Sequence, residues 1–237
     1  MRPEAPVAGL AGLAGALLLA ALVCGLAAPA AAEVPRPPAG PPTERPRDLP
    51  LVEVPVPAGG PESELLAVLL TGDGGWAVTD KGLARSLSQR GMPVVGWNAL
   101  RYFLHKRNPD GTTRDLERIL RCYLAAWHRE RVVLIGYSFG ADVMPFLVHR
   151  LAPDLRARIS LLALLGPGAR AGFRFHLAEW LGKESADTLP VRPEVESLRG
   201  MPILCAYGQQ EAQSLCKELS PGLARVLVRP GSHIIGR

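Results

Sequence analysis

The sequence predicts a single α/β domain, with a mostly parallel sheet that is covered by helices on both faces. Two observations predict this class. Short runs that are apolar throughout alternate with longer segments whose apolar residues recur at helical spacing. The chain also has 237 residues, of which 48% are apolar, enough to bury one substantial core. No internal repeat is visible, so we expect one domain.

The individual elements follow from these runs, which have the length and composition of buried strands. In chain order, the predicted strands are LLAVLL (65–70), MPVVGW (92–97), RVVLIGY (131–137), ISLLALLG (159–166), MPILCAYG (201–208) and ARVLVRPG (224–231). Helices are predicted at about 78–90, 114–129 and 140–151, and between the last two strands. Residues 167–199 are rich in Gly, Pro, charged and aromatic residues, and we expect them to form an irregular excursion over the sheet.

The N-terminal segment differs from the rest. Residues 1–32 begin with a basic residue, continue with an apolar stretch and end in small residues, which is typical of a secretory signal peptide cleaved before Glu33. A retained membrane anchor is the alternative, because the stretch is about long enough to span a bilayer. Attachment of a lipid to Cys24 is disfavoured by the bulky Val23. Residues 33–50 are predicted to be a proline-rich linker, and 51–237 the folded domain.

Charge and cysteine content limit the partners. The net charge of +5 is scattered along the chain, which weakly favours an anionic or membrane-surface partner and gives no support for nucleic-acid binding. In an oxidising compartment, Cys205 and Cys216 are the most favourable disulfide pair, with Cys122 reduced in a helix. Three free thiols are the alternative. No Cys/His spacing is that of a zinc site, and we expect no metal or cofactor.

Gly136-Tyr137-Ser138-Phe139-Gly140 fits G-x-S-x-G, the nucleophile elbow of the α/β-hydrolase fold. In that elbow the serine occupies a strained turn, and the glycines allow the strand and helix backbones to approach. A predicted strand precedes the motif and a predicted helix follows it, as the motif requires. We therefore predict that Ser138 is a nucleophile; a simple strand–helix turn is the alternative.

A serine nucleophile needs a base and an orienting acid, which follow it in the order acid, then histidine, in this fold. His176 and His233 are the histidines after Ser138. His176 comes too early, whereas His233 follows the last predicted strand and is the predicted base. Glu211, three residues beyond Gly208, is the predicted acid. Glu184 and Asp187 are alternatives that precede the penultimate strand.

The oxyanion of a tetrahedral intermediate requires hydrogen-bond donors. We expect one from the N–H of Phe139 and a second from the TGDGGW loop after the first predicted strand, at Asp73 or Gly74. The loop lacks the G-x-x-x-x-G-K-[ST] pattern of a nucleotide-binding loop.

Charged residues near the elbow are candidate substrate contacts. Asp142 lies one helical turn beyond Ser138 and is expected either to contact substrate or to form an ion pair with Arg101 or Lys106. The segment LRYFLHKRNPDG follows the second predicted strand. Its cations, Arg101, Lys106 and Arg107, either bind an anionic head group or lie in a solvated loop.

Several of these stretches together resemble the bacterial VirJ/AcvB virulence-protein family: LLTGDGGW, ALRYF, LIGYSFGADVMPF, LLGPG, LCAYGQQEAQSLC and PGSH. The resemblance covers about residues 51–235. It implies a periplasmic α/β-hydrolase that cleaves aminoacylated phosphatidylglycerol at the bilayer surface and, in some bacteria, is associated with type IV secretion. Matching motifs imply Ser138, His233 and Glu211 as the catalytic residues and Cys205 with Cys216 as the paired cysteines.

The sequence thus predicts a periplasmic serine esterase. The alternative is a non-enzymatic binding factor or chaperone for secreted cargo on the same fold.

Overall fold

The computed structural model describes residues 44–175 and 187–233, which contain one seven-stranded sheet and a separate two-stranded ribbon. The strands are β1 (Leu51–Val54), β2 (Leu65–Leu70), β3 (Val94–Trp97), β4 (Arg131–Tyr137), β5 (Ile159–Leu165), β6 (Arg170–Ala171), β7 (Leu189–Pro190), β8 (Ile203–Gly208) and β9 (Arg225–Arg229). The helices are α1 (Val78–Ser88), α2 (Ala99–Tyr102), α3 (Pro109–Ala126), α4 (Phe139–Arg150), α5 (Pro153–Arg156) and α6 (Arg192–Ser197). The predicted signal peptide and most of the predicted linker lie outside the described residues.

The sheet has the order β1-β3-β2-β4-β5-β8-β9. All neighbouring strands are parallel except the edge strand β1, which pairs with β3 in the antiparallel sense. The predicted α/β class with a mostly parallel sheet is confirmed. Because the strands are parallel, the loops after β2, β3, β4, β5, β8 and β9 all emerge at one edge of the sheet, where ligand sites form in such folds.

Two apolar clusters lie on opposite faces of the sheet, because successive side chains of a strand point to opposite sides. Leu66, Val68 and Leu70 of β2 pack in the larger cluster together with residues of α3 and α4. Ala67 and Leu69 pack in the second cluster with α1. The sheet therefore has helices on both faces. In the described ranges, no helix is both long and apolar enough to cross a membrane.

Two helix predictions need correction. Helix α3 begins at Pro109 rather than near residue 114, because the Asn108 side chain accepts a hydrogen bond from the Gly111 N–H and Pro109 occupies the first turn. Between β8 and β9 the predicted helix is wrong: the described residues there contain only a 3₁₀ turn at Leu215–Lys217. The disulfide and the hydrogen bonds described below explain why this segment is not a helix.

Candidate active site

Ser138 occupies a strained turn between β4 and α4, with φ 51° and ψ −120°. A non-glycine residue with positive φ is costly and is maintained only where its surroundings impose it. The flanking glycines make the turn possible. A Cβ on Gly136 would overlap the Gly140 carbonyl, and a Cβ on Gly140 would overlap the Leu70 carbonyl oxygen of β2. This is the geometry of a nucleophile elbow, with the Ser138 side chain at the carboxyl edge of the sheet.

His233 lies beside Ser138, although 95 positions separate them in the sequence. Its Nε2 is 2.7 Å from Ser138 Oγ. The imidazole lies 6.1 Å from the Tyr137 ring, centroid to centroid, and nearly parallel to it. Gly166 lies against the imidazole: a Cβ there would sit 2.9 Å from its Cε1. The loop after β9 thus places the imidazole against Ser138, with β4 and the end of β5 beside the ring.

Glu211 lies on the other side of the imidazole, with Oε2 3.3 Å from His233 Nδ1. Its second oxygen, Oε1, accepts a hydrogen bond of 2.7 Å from the Gly208 N–H. The Glu211 side chain is only 7% exposed. Two of its lone-pair directions are therefore used, and the carboxylate is held by the end of β8 in the orientation that an imidazole N–H requires.

A disulfide between Cys205 and Cys216 holds the segment that carries Glu211. The predicted pair is confirmed, and Cys122 is free and buried, as expected. The Leu215 N–H donates to the Pro167 carbonyl at 3.0 Å, and the Lys217 ammonium donates to the Glu211 carbonyl. These tertiary links take up backbone groups that a helix would need. They explain why the predicted helix between β8 and β9 does not form.

The loop after β2 faces the elbow, as the oxyanion-hole prediction requires. A Cβ on Gly72 would sit 3.2 Å from Ser138 Cβ, so this glycine, which the sequence did not single out, is in close contact with the nucleophile. Gly75 donates its N–H to the Gly72 carbonyl and closes a turn over Asp73 and Gly74. The N–H groups of Asp73, Gly74 and Phe139 have no acceptor within the described parts of the chain.

Asp142 makes a contact other than the expected ion pair. Its Oδ1 accepts a hydrogen bond of 2.6 Å from the Gly168 N–H. Burial of the carboxyl raises the pKa of Asp142 well above its ordinary value, and the charge of Asp73 adds to this shift. Among the described residues no cation pairs with it, so the predicted ion pair with Arg101 or Lys106 is wrong.

Lys106 and Arg101, the cations that were expected to pair with Asp142, lie elsewhere. Lys106 pairs with Asp187 at 2.9 Å, whereas Nδ1 of His233 faces Glu211. Arg101 lies on α2 with an exposed side chain that makes no described contact with Ser138, Glu211, His233 or Asp142. His176 and Glu184 lie outside the described residues.

Aromatic rings pack behind Phe139 in the core, a contact that the sequence pattern did not predict. The Phe139 ring is 5.0 Å from Phe103 and 4.4 Å from Phe175. Phe173 is 6.1 Å from Phe103. The spacing in AGFRF, with two aromatic residues two positions apart within the excursion, is the sequence signal for this aromatic cluster. No group of acidic, Cys and His side chains in the described ranges is arranged to hold a metal ion.

The elbow, the sheet order and the loops at its carboxyl edge define an α/β-hydrolase fold. Comparison with solved structures agrees. A serine hydrolase homologue of Coxiella burnetii is 18% identical and has a TM-score of 0.53, with 78% of this chain and 83% of that chain covered. An esterase of Pyrococcus furiosus is 16% identical and has a TM-score of 0.51, with 78% and 84% covered. At these identities the likeness shows the fold alone.

The chain belongs to the VirJ family. The family model described as bacterial virulence protein (VirJ) matches residues 64–237, which confirms the resemblance found in the motifs. A comparison with curated proteins found no match.

Proposed function

We propose that the protein is a serine esterase in which Ser138 is the nucleophile, His233 the general base and Glu211 the residue that orients the imidazole. One observation carries the proposal: a continuous chain of contacts from Ser138 Oγ through His233 to the buried Glu211 carboxylate, at 2.7 and 3.3 Å. A protein that only binds its partner does not need a serine, a histidine and a carboxylate in contact. Distances of this size are those of a nucleophile and a base poised for proton transfer.

In the first step Ser138 Oγ attacks the ester carbonyl, and its proton passes to His233 Nε2. The resulting imidazolium carries a proton on Nδ1 that Glu211 accepts in a hydrogen bond, which stabilises the charge. His233 then donates its proton to the departing alcohol. In the second step a water molecule, deprotonated by His233, attacks the acyl-serine carbonyl, and Ser138 regains its proton as the acid is released.

The developing oxyanion needs donors that point to it before the reaction begins. We assign this role to the N–H of Phe139 and to the turn after β2, through Asp73 or Gly74. The close contact of Gly72 with Ser138 supports this assignment, because it brings the turn next to the carbonyl that Ser138 attacks. Removing one such donor typically lowers kcat by about 10²–10³-fold.

For the substrate, we propose an aminoacyl ester of phosphatidylglycerol, cleaved in the periplasm at the bilayer surface. Family membership and the disulfide, which is consistent with an exported protein, support this proposal. An aminoacyl group carries an ammonium. Burial and the charge of Asp73 disfavour ionisation of the Asp142 carboxyl. A bound cation would favour the ionised carboxylate, so Asp142 would contact the ammonium. Arg101, exposed on α2, would contact the anionic head group.

The test is turnover of lysyl- and alanyl-phosphatidylglycerol in vesicles by the purified protein, beside Ser138→Ala. We expect the variant to lose at least about 10³-fold in kcat while it still binds the vesicles. Ser197→Ala, an exposed serine of α6, is the matched control and should retain full activity. Equal turnover by wild type and Ser138→Ala would overturn the nucleophile. Vesicle binding without turnover by the wild type would favour the binding-factor alternative instead.

A further inference from the structure

A second concave region lies away from the Ser138 site, between the segment after β3 and the first turns of α3. This cleft has a volume of about 410 Å³ and contains none of the proposed catalytic residues. Its charged lining consists of four cations and one carboxylate: Lys106, Arg107, Arg114, Arg118 and Asp115. The excess of positive charge raises the question of which cations are already paired within the protein.

Two of the four cations have carboxylate partners. Arg118 binds Asp48 at 2.6 Å and Asp115 at 2.9 Å, and Lys106 binds Asp187 at 2.9 Å. Asp115 also accepts a hydrogen bond of 2.6 Å from the Tyr102 hydroxyl. The carboxylate that lines the cleft is therefore hydrogen-bonded by Tyr102 and paired with Arg118, which it shares with Asp48. In the described parts of the chain, Arg107 and Arg114 have no carboxylate partner.

Arg107 is held in place without a carboxylate partner among the described residues. Its guanidinium carbon lies 4.3 Å from the centroid of the Tyr102 ring, and its Nε donates to the Tyr102 carbonyl at 3.2 Å. The backbone N–H of Arg107 donates to the Phe173 carbonyl at 2.8 Å. The two terminal nitrogens, Nη1 and Nη2, have no acceptor among the described residues. The half-buried guanidinium is therefore already oriented, and its two terminal nitrogens can donate to two oxygens of a phosphate or carboxylate.

Arg114 adds a second guanidinium in the second turn of α3. Its Nη2 lies beside Gly111, 3.7 Å from the position that a Cβ there would take. The positive end of the dipole of this 18-residue helix adds to the attraction for an anion. The acidic residue of the first turn, Asp110, lies 3.5 Å from Arg150 Nε and is partly neutralised.

We propose that this cleft binds a phosphate group through Arg107 and Arg114. Aromatic contacts connect it to the Ser138 site: Phe139 packs on Phe103, Phe103 on Tyr102 at 4.9 Å, and Tyr102 carries Arg107. The binding site itself stands without the proposed esterase activity. The identity of the phosphate compound rests on the proposed activity. An esterase that acts on lipids would bind the phosphate of a lipid head group, and otherwise the cleft would bind a soluble phosphate.

The experiment is isothermal titration of the full chain with inorganic phosphate and with glycerol 3-phosphate at fixed ionic strength, for wild type, Arg107→Gln and Arg114→Gln. Each substitution should weaken binding about tenfold or more, because it removes one charge-assisted contact. Arg85→Gln makes the same charge change on α1, on the other face of the sheet, and should bind as wild type does. Arg107→Lys keeps the positive charge but removes the two parallel N–H donors of the guanidinium, so it should also weaken phosphate binding.

Sedimentation with phosphatidylglycerol or phosphatidylcholine vesicles identifies the source. Loss of vesicle binding in the same two variants assigns a lipid phosphate, and unchanged vesicle binding with weakened titration assigns a soluble one. Absence of phosphate binding by the wild type, or equal binding by all variants, would overturn the proposal. Ser138→Ala should bind phosphate normally, because Ser138 does not line the cleft. The site and the esterase activity can therefore fail separately.

Discussion

At the scale of single residues, the elbow depends on glycines, because a Cβ atom at these positions would overlap neighbouring backbone. Gly140 lies against β2, and a Cβ there would overlap the Leu70 carbonyl oxygen, a backbone atom that cannot move without disturbing the sheet. We expect Gly140→Ala to lower the free energy of unfolding by about 3 kcal/mol, as an overpacked core position does. Urea denaturation measures the change.

Gly74→Ala is the control for this substitution. Nothing lies within 4 Å of the position that its Cβ would take, and its φ is not in the left-handed region. Its stability should stay within about 0.5 kcal/mol of wild type. A Gly140→Ala variant as stable as Gly74→Ala would show that the elbow does not pack on β2 as described.

Asp142 supplies a prediction about pH. Its pKa is raised in the folded protein, so above the ordinary carboxyl pKa the unfolded chain ionises while the folded chain keeps its proton. The free energy of unfolding therefore falls as pH rises through this window. Asp142→Asn cannot ionise and keeps an acceptor for the Gly168 N–H. We expect it to gain stability relative to wild type as pH rises from about 4 to about 7, measured by denaturation at several pH values.

Asp154 is a control of opposite sign. Arg121 lowers the pKa of this carboxyl through a hydrogen bond, so wild type gains stability as pH rises from about 2 to about 5. Asp154→Asn should lose a small amount of stability relative to wild type over that range. If wild type and Asp142→Asn had parallel pH profiles, the carboxyl of Asp142 would have to be ionised normally in the folded state.

At the scale of elements, the segment between β8 and β9 is fixed by covalent and polar links rather than by helical structure. The disulfide joins Cys205 and Cys216, which are 11 positions apart, and Glu211 lies within the short loop that it closes. Cys216→Ser should lower the free energy of unfolding by about 2–4 kcal/mol. It should also lower kcat, because the freed segment no longer holds the carboxylate against His233. Thermal denaturation and ester hydrolysis measure the two effects.

Cys122→Ala is the matched control, since it removes the free thiol and leaves the disulfide intact. Its activity should fall on reduction with dithiothreitol just as that of the wild type does. Reduction that changed neither stability nor turnover would mean that the disulfide does not position Glu211.

The same segment shows where sequence reasoning failed. The pattern from Gln209 to Leu219 was compatible with a helix, but the disulfide and the bond from Leu215 to Pro167 are long-range links that local spacing does not report. The start of α3 depends on a local signal that apolar spacing does not contain, because Asn108 and Pro109 begin the helix before its first apolar residue. The edge strand β1 was not identified either. It pairs in the antiparallel sense with β3, and its residues are at most partly buried.

At the scale of the whole molecule, the parallel sheet places distant residues together. The ends of β4, β8 and β9 contribute Ser138, Glu211 and His233, and β2 contributes the facing turn. The order of these residues was predictable, because strand ends in a parallel sheet meet at one edge. The partner of Asp142 was not predictable, because Gly168 lies in the irregular excursion whose path follows no periodic pattern.

The proposed esterase activity depends on the activation of Ser138 by His233. The most direct measurement is labelling of the purified protein with a fluorophosphonate, which reacts with activated serines, followed by peptide mapping. We expect one label per chain on Ser138, none on Ser138→Ala, and labelling slowed by at least about 10²-fold in His233→Ala, because the base is lost. Labelling of another residue, absence of labelling, or an equal rate in His233→Ala would contradict the account.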